Sequence, residues 1–313
     1  MEPYVLVLGV SVYDIFGFTN HKYREKDSNP GSVRVSFGGV CRNIAENIAR
    51  VDVSTKLITV VGDDEKGKCL LEDAKDKNLD VQDTLIIEGG STPTYMAILD
   101  ECGEMQSAVV DMKIMDEMTT EFMDEKAEVI RNAAYMVLDV DNPTILRYIL
   151  ANFTETKFIL DSVSACKVLK VKDCIRNLHT FKPNRHEAEV LCGFKIQTTE
   201  EVQRAGQYFK NLGIENVFIS LDKDGMYYNN GSSEGIMKSN HTEVVNVTGA
   251  GDSCVAGLVY GYMNGLSIEE TTRYAIAMSA ITIAHPKTIH PEMSCALVEQ
   301  YMKQLEWECH TFS

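Results

Sequence analysis

The chain has 313 residues, of which 44% are hydrophobic and 24% are charged, and its 30 basic against 46 acidic residues give a formal net charge of -16 at pH 7. This composition excludes a disordered or fibrous protein, and the length favours one large α/β domain. The negative charge argues against nucleic acid or an anionic membrane surface as a partner, because both attract basic patches. Any anionic ligand must therefore be bound by local groups.

The nine cysteines indicate a reducing compartment. Their number is odd and no two lie closer than eight residues, which fits neither a disulfide framework nor a zinc knuckle. The acidic start Met1-Glu2-Pro3 does not resemble a secretory signal, and the apolar run at 4–12 is too short to span a bilayer. We therefore expect a cytoplasmic protein, in which the four Asn-x-Ser/Thr sequences occur by chance: Asn152, Asn230, Asn240 and Asn246.

Near-continuous apolar runs predict strands that are buried on both faces. In chain order they occupy 4–10, 56–62, 135–140, 157–161 and 216–221. Helical patterns lie between them, with Val40, Ile44 and Ile48 at four-residue spacing and further helices at 143–152 and 200–211. Because strands and helices alternate, we predict an α/β protein with a parallel sheet between two layers of helices.

Two stretches alternate apolar and polar residues instead. These are 32–37 and 94–111, the second around a turn at 101–104. Such alternation predicts antiparallel ribbons with one solvated face, and we expect a small β lid formed by strands from about 13–37 and 91–111. The alternative is an antiparallel edge of the main sheet. No repeat or low-complexity linker is present, so one domain over 1–313 is predicted.

The first candidate binding segment is the glycine pair Gly38-Gly39, which follows a predicted ribbon and precedes the helix that contains Asn43. The backbone amides of the two glycines and the Asn43 side chain could bind a polyol. Alternatively, Asn43 is a polar residue that caps or borders the core, since it lies one position away from the apolar stripe of the helix.

Two familiar nucleotide motifs are excluded. Residues 62–69 match the P-loop spacing except at the last position, but three carboxylates would repel phosphates and Cys69 replaces the magnesium-binding Ser or Thr. No G-x-G-x-x-G follows a strand, so a dinucleotide site of the Rossmann type is not predicted. The seven histidines show no metal-ligand spacing.

Residues 182–187 follow a predicted strand and open a helix rich in glutamate. Acidic residues in a first helical turn commonly interact with the helix dipole. Near a nucleotide, Asn184 and Glu187 could instead orient Mg²⁺ and its water molecules.

The strongest local signal is the segment 246–252, which contains Gly249-Ala250-Gly251 and then Asp252 at the start of a buried helix. Unpaired amides in a first helical turn, together with the helix dipole, can bind an anion without any basic side chain. Asp252 could be an ordinary N-cap, but a cap does not need the freedom of the Gly-Ala-Gly run. As a base beside an anion hole, Asp252 would suit phosphoryl transfer, which suggests a kinase.

Together these motifs identify the chain as similar to the ribokinase-like carbohydrate and nucleoside kinases over nearly its whole length. Gly38-Gly39 with Asn43 and the later segment 248–252 carry the resemblance. It implies a three-layer α/β/α domain with a mostly parallel central sheet and a small β lid over the sugar. Segments 27–45, 182–185 and 246–248 most closely resemble the members that phosphorylate the 5′-hydroxyl of pseudouridine with ATP.

The resemblance also implies roles for individual residues. Asp252 would be the base, and the amides of Gly249, Ala250 and Gly251 would form the anion hole. On the acceptor side, the ribose would be bound by Asp14, Gly38, Gly39 and Asn43, and the uracil or ribose would be recognised by Ser28 and Asn29. On the nucleotide side, contacts would come from Ser220, Asp222 and Gly225, and Mg²⁺ and the phosphates would be bound near Asn184 and Glu187. Lys167 is either a phosphate contact or a solvated lysine.

Three positions depart from the family pattern. Asn246 stands where an aspartate usually helps to hold a monovalent cation, so its neutral amide makes activation by such a cation the less favoured of two open alternatives. Asp222 stands where a glycine is usual, and Tyr13 replaces an asparagine found in many sugar kinases. The alternatives to pseudouridine phosphorylation are therefore another sugar or nucleoside kinase, including ribokinase, and a non-catalytic nucleoside or nucleotide sensor. A homodimer through the lid is expected if the lid exposes an apolar face.

Overall fold

The computed structural model of the chain describes residues 2–240 and 243–312. Residues 1, 241, 242 and 313, which the predicted domain of residues 1–313 includes, lie outside the described part. The strands are β1 (Val5–Leu8), β2 (Val12–Thr19), β3 (Gly31–Gly38), β4 (Thr55–Ile58), β5 (Val60–Gly62), β6 (Leu85–Ile87), β7 (Thr94–Leu99), β8 (Met105–Asp111), β9 (Tyr135–Leu138), β10 (Phe158–Leu160), β11 (Thr180–Phe181), β12 (Asn216–Ser220), β13 (Met226–Asn229), β14 (Glu234–Ser239) and β15 (Trp307–Thr311). The α-helices are α1 (Val40–Arg50), α2 (Glu65–Asp76), α3 (Thr120–Glu125), α4 (Ala127–Arg131), α5 (Pro143–Asn152), α6 (Ala165–Val168), α7 (Arg185–Cys192), α8 (Thr199–Asn211), α9 (Ala250–Met263), α10 (Ile268–Ile283) and α11 (Cys295–Gln304).

The central sheet has the strand order β15-β14-β13-β12-β11-β10-β9-β1-β4. The six strands from β4 to β12 in this order pair in parallel, and β13, β14 and β15 extend the sheet in antiparallel fashion. The predicted mostly parallel sheet is therefore confirmed. Helix α5 spans 143–152 as the sequence predicts, and its first residue is a proline, which is favourable at that position.

Helices cover both faces of this sheet, because its central strands point apolar side chains to either side. In β1, Leu6 and Leu8 pack in the core shared with α5, α7 and α8, whereas Val5 and Val7 pack in the core shared with α1, α9, α10 and α11. Full burial of each such side chain contributes about 1.5–3 kcal/mol. The sheet therefore forms the middle of three layers, as predicted.

The apolar run at 56–62, predicted as one strand, is divided in the structure. It contains most of β4 and all of β5, which are separated by the buried Thr59. Strand β4 pairs with β1 in the central sheet, but β5 leaves that sheet and pairs with β6. The prediction of a single strand was wrong because the run is buried on both sides of Thr59 apart from Lys56, and an uninterrupted apolar run does not reveal a change of partner.

Strands β2, β3, β7 and β8 form a separate four-stranded sheet, which we call the lid sheet. Antiparallel pairing joins β2 to β3 and β7 to β8, and a parallel pairing of β2 with β7 connects the two ribbons. The predicted ribbons are therefore present. The alternative, an antiparallel edge of the main sheet, is wrong.

All nine cysteines lie within the described residues and carry free thiols, as their odd number and wide spacing predict. Among the described residues, no helix is both long enough and apolar enough to cross a bilayer.

Candidate active site

Polar side chains collect where the parallel strands β10, β11 and β12 end. Asp161 follows β10, Lys182 follows β11, and Ser220 is the last residue of β12. An isolated bridge between Asn184 and Ser220 brings the start of α7 to the same edge. In open α/β sheets, ligands bind at the carboxyl ends of the strands, so this edge is the expected place for a site.

Asp252 meets Asn43 at this edge, although 209 residues separate them in sequence. Asn43 lies in the first turn of α1, and its Nδ2 donates a hydrogen bond of 2.9 Å to Oδ2 of Asp252. Helix α9 begins at Ala250 with Gly249 as its N-cap, so Asp252 is the third helical residue and not the cap. The N-cap alternative for Asp252 is therefore wrong, and its carboxylate is not used to cap the helix.

The environment of Asp252 makes it a suitable base near neutral pH. Burial raises the pKa of this carboxyl to about 7, and the charge of Asp161 adds to the rise. The hydrogen bond from Asn43 and the positive charge of Lys182 act in the opposite direction. A base whose pKa lies near the working pH combines a useful ionised fraction with a real affinity for the proton.

Beside Asp252, the start of α9 presents backbone N–H groups. Gly249 has a φ of 86°, a conformation that favours glycine, and a Cβ there would collide with the carbonyl oxygen of Thr288. Within residues 2–240 and 243–312, the amides of Gly251 and Asp252 have no hydrogen-bond partner, whereas that of Ala250 donates to Val247 at 3.3 Å. With the helix dipole behind them, these amides are free to bind an anion, as the sequence predicts.

Lys182 also lies at this edge, and the sequence analysis included it in the segment 182–187 without giving it a role of its own. Its side chain is buried, and its Nζ lies 3.5 Å from where a Cβ on Gly251 would stand. Burial alone would lower the pKa of Lys182, but neighbours that include Asp161 and Asp252 raise it overall, so the ammonium stays charged. Its position at the carboxyl end of a buried strand is the signal that could have identified it.

Glu187 is held in place by two neighbouring groups. Its Oε2 accepts a hydrogen bond from the hydroxyl of Ser162 at 2.6 Å and another from the backbone N–H of Asn184 at 2.8 Å. The Oδ1 of Asn184 accepts from the Glu187 N–H in return, which completes a capping box at the start of α7. Both residues therefore have a helix-capping role, to which a metal role would be an addition.

The residues at this edge suit a magnesium ion that is held chiefly by phosphates. Asp161, which the sequence analysis did not assign, and Glu187 are both buried carboxylates, and burial raises the pKa of Asp161, with the charge of Glu187 adding to that rise. Among the described residues, no group of three His, Cys, Asp or Glu side chains could hold a metal by itself. Mg²⁺ commonly binds through one or two carboxylates, water and substrate phosphates, so this donor set fits.

The predicted ribose residues meet at the base of the lid sheet. Asp14 of β2 lies so close to Gly38 of β3 that a Cβ on that glycine would collide with its carboxylate. Gly39, with a φ of 104°, caps α1 and approaches the carbonyl of Val10. Burial raises the pKa of Asp14 to about 6, and the charge of Arg42 opposes this rise.

Ser28 and Asn29 lie in the exposed loop between β2 and β3. The Asn29 amide holds this loop together, since its Oδ1 accepts from the Arg24 N–H and its Nδ2 donates to the carbonyls of Arg24 and Asp27. The Ser28 N–H donates to the Asp27 carboxylate. Contact of either residue with a nucleoside remains a prediction.

On the predicted nucleotide side, Ser220 ends β12, and Asp222 and Gly225 lie in the turn that connects it to β13. Asp222 has a φ of 54°, which explains why a glycine would suit this position. Asp222 lines a groove of about 580 Å³ together with Arg185 and Lys195. Both of these basic side chains are paired with other acids, Arg185 with Asp224 at 2.6 Å and Lys195 with Glu189 at 2.8 Å.

Two further positions have defined partners. The Nδ2 of Asn246 donates to the carbonyl of Pro286 at 3.0 Å, and its Oδ1 accepts from the Thr248 N–H at 3.0 Å. Lys167 forms an ion pair of 2.6 Å with Asp141. Lys167 is thus neutralised by a neighbour, and its contact with a phosphate remains a prediction.

Comparison with known proteins identifies the family of the chain. A family model described as pfkB family carbohydrate kinase matches residues 2–295. The pseudouridine kinase of Escherichia coli (strain K12) is 35% identical over 307 residues, which are 97% of this chain and 98% of that protein.

Solved structures extend the likeness to the fold. A Clostridium perfringens protein assigned as a sugar kinase is 53% identical, with a TM-score of 0.97 over 100% of this chain and 99% of that chain. The Arabidopsis thaliana ribokinase complexed with ribose and ATP is 20% identical, with a TM-score of 0.84 over 97% of this chain and 99% of that one. The predicted ribokinase-like fold class is confirmed.

Proposed function

We propose that this chain, which belongs to the pfkB family of carbohydrate kinases, transfers the γ-phosphoryl group of ATP to the 5′-hydroxyl of pseudouridine. The family establishes that the protein is a kinase with a small sugar or nucleoside as its substrate. Pseudouridine is the finer part of the proposal, supported by the relative of that activity over nearly the full length. The free thiols fit a reducing compartment, so we expect the reaction in the cytoplasm.

The observation that carries the proposal is the position of Asp252, which lies in the first turn of α9 and faces the Asn43 side chain. Its carboxylate accepts a hydrogen bond from Asn43, and its own backbone N–H belongs to the anion-binding turn. A base and an anion site are thus held on one short stretch of rigid helix. Transfer of a phosphoryl group to a hydroxyl requires both within a few ångströms of each other.

In the proposed mechanism, Asp14 and the Gly38-Gly39 amides hold the ribose so that its 5′-hydroxyl faces Asp252. The Asp252 carboxylate accepts the hydroxyl proton as the oxygen attacks the γ-phosphorus. The bond from that phosphorus to the β,γ-bridging oxygen breaks, and ADP carries away the electron pair. The α9 amides and the Lys182 ammonium stabilise the negative charge on the transferring group.

Asp161 and Glu187 are the residues that would hold Mg²⁺ beside the phosphates. When bound, this ion neutralises part of the phosphate charge. The protein contributes by fixing the two carboxylates, Glu187 through Ser162 and Asn184 and Asp161 through the N–H of Val163 at 2.8 Å.

The substrate is tested by side-by-side values of kcat/KM for pseudouridine, uridine and ribose, with ADP release as the readout. The proposal expects pseudouridine to give the highest value. A clear preference for free ribose would make the protein a ribokinase instead, and the absence of ADP release with all three would favour a non-catalytic sensor.

Potassium should not activate the reaction. The Asn246 amide already donates to the Pro286 carbonyl, so that carbonyl is engaged by a neutral donor and the position lacks the negative charge that an aspartate would supply to a cation. We therefore expect the same kcat in potassium and in tetramethylammonium buffers of equal ionic strength. A severalfold higher kcat in potassium would show that other groups bind the cation.

The lid sheet also supports the proposal of a homodimer. Val35, Ile15, Met96 and Val109 are cross-strand neighbours on one face, and three of them are 45–65% exposed. Val33 extends this apolar surface at 71% exposed. A second copy that lays its own lid sheet on this face would bury an apolar row that monomers rarely expose.

We expect Met96→Glu to convert the dimer into a monomer in sedimentation velocity at micromolar concentration, because it places a charge in the middle of this row. Ile86→Glu is the control, since Ile86 is similarly exposed at 55% but lies on β6 outside the lid sheet. A wild-type protein that sediments as a monomer would contradict the dimer.

A further inference from the structure

Arg42 is a fully charged side chain in an almost fully buried place. It lies between Cys41 and Asn43 in the first turn of α1 and is 2% exposed. One guanidinium nitrogen lies 3.1 Å from Glu46, and the other pairs with Asp73 of α2. The first nitrogen also donates to the backbone carbonyl of Phe37 at 3.3 Å.

These contacts join three parts of the molecule at one point. Phe37 belongs to β3 of the lid sheet, Glu46 to α1 and Asp73 to α2, so the guanidinium connects the lid sheet to two helices of the main body. The guanidinium carbon also lies 5.6 Å from the centre of the Phe37 ring, which in turn packs edge-on against the ring of Tyr13. The fork of Arg42 thus holds the base of the lid sheet where β2 and β3 meet.

A purely stabilising role explains this arrangement poorly. Burying an ion pair costs desolvation free energy that often cancels the attraction, so apolar side chains of similar volume would commonly serve stability as well. Within the described part of the chain, the Nε of Arg42 has no hydrogen-bond partner, and a buried donor without a partner is itself unfavourable.

The residues next to these contacts are those of the proposed sugar site. Phe37 is followed directly by Gly38 and Gly39, and Tyr13 is followed by Asp14. Burial raises the pKa of Asp14, and Arg42 is the charge that opposes this rise. The same side chain therefore fixes the backbone of the glycine pair and favours the ionised form of the carboxylate that would accept the ribose hydroxyls.

We propose that Arg42 is a positioning residue for the nucleoside, which holds the end of β3 against α1 and α2 and so places Asp14 and the Gly38-Gly39 amides. This inference rests on the proposed function, because it assumes that Asp14 and the glycine pair bind the sugar. It concerns binding of the acceptor and not the transfer step, since the polar contacts of Arg42 are with Phe37, Glu46 and Asp73, none of which has a part in the proposed transfer.

The test is Arg42→Lys. This variant keeps the positive charge but replaces the two terminal guanidinium nitrogens, which together contact Phe37, Glu46 and Asp73, by a single ammonium nitrogen. We expect KM for the nucleoside to rise about tenfold or more, because one charge-assisted hydrogen bond is worth roughly a factor of ten in binding. The kcat value and KM for ATP should stay within about twofold of the wild type.

Arg50→Lys is the matched control, because Arg50 pairs with the same Glu46 at 2.7 Å but contacts the carbonyl of Pro291 instead of the lid sheet. It should leave KM for the nucleoside unchanged. If Arg42→Lys does not fold, Asp73→Asn decides the question: this variant removes one anchor of Arg42 from the surface of α2, and KM should still rise severalfold.

An unchanged KM in the folded variant, or an equal rise with Arg50→Lys, would overturn the proposal. Both outcomes can be told apart from a failure of the proposed function. The variants are assayed with whichever acceptor the wild type phosphorylates best, so rejection of pseudouridine by the wild type would refute the substrate and leave the test of Arg42 intact.

Discussion

Asp252→Asn should reduce kcat by about 10² to 10⁴, the usual range for loss of a general base. The substitution keeps the shape of the side chain and an oxygen that can accept the Asn43 hydrogen bond of 2.9 Å. What it removes is the ability to take a proton from the attacking hydroxyl. The backbone amides of α9 are unaffected, so binding of ATP should remain close to that of the wild type.

The pH dependence provides an independent signature of the same residue. Burial and the charge of Asp161 raise the pKa of Asp252 to about 7, so the base becomes protonated as the pH falls below that value. For the wild type, we therefore expect log(kcat/KM) to decline with unit slope below about pH 7. In the Asp252→Asn variant the decline that begins near pH 7 should be absent from the residual rate, and only the decline below about pH 6 that protonation of Asp14 produces should remain.

Asp173→Asn is the control for a lost carboxylate. Asp173 pairs with Arg147 at 2.8 Å on the surface, and its side chain is 67% exposed. Its removal should change kcat by less than about twofold, as surface ion pairs contribute little. Near-normal turnover of Asp252→Asn would disprove the proposed base, whatever the substrate.

The sequence predicted the layers of the fold because their signals are local. Apolar runs marked the parallel strands, and Pro143 marked the start of α5. What the sequence could not supply was the choice of partner for a strand. Residues 56–62 read as one run, yet β4 and β5 belong to different sheets, and the parallel pairing of β2 with β7 joins segments about 80 residues apart.

The residues of the candidate site likewise differ in whether a local sequence pattern identifies them. Gly249 and Asp252 could be identified from sequence, because glycines at a helix start and an adjacent acid form a local pattern. Asp161 and Arg42 could not, since each looks like an ordinary charged residue until the sheet and helices bury it, and Lys182 was predicted only as part of a segment that follows a strand. Their significance comes from the loss of water around a charge, which depends on contacts that no short stretch of sequence contains.

Lys182→Met should lower kcat by about 10² to 10³, comparable with the loss of one strong donor from an oxyanion site. The Lys182 ammonium is buried and lies beside Gly251 in the proposed anion-binding turn. In so dry a place, a positive charge stabilises the transferring phosphoryl group far more than it would in water. Methionine retains most of the volume, so the loss should be one of charge and not of packing.

The same variant should move the acid limb of the pH profile. Lys182 lowers the pKa of Asp252, so its removal should raise that pKa and shift the limb above about pH 7. Lys182→Arg, which keeps the charge, should keep the limb near its wild-type position. A general destabilisation of the fold would not produce this difference between the two variants.

Lys56→Met separates this effect from the loss of any paired lysine. Lys56 lies on β4 and pairs with Asp80, and its side chain is 24% exposed. We expect its removal to lower the temperature of unfolding without changing kcat or the pH profile. If Lys182→Met keeps both the wild-type kcat and the wild-type limb, the charge on the transferring group is stabilised without this lysine, and the α9 amides with the metal must carry it alone.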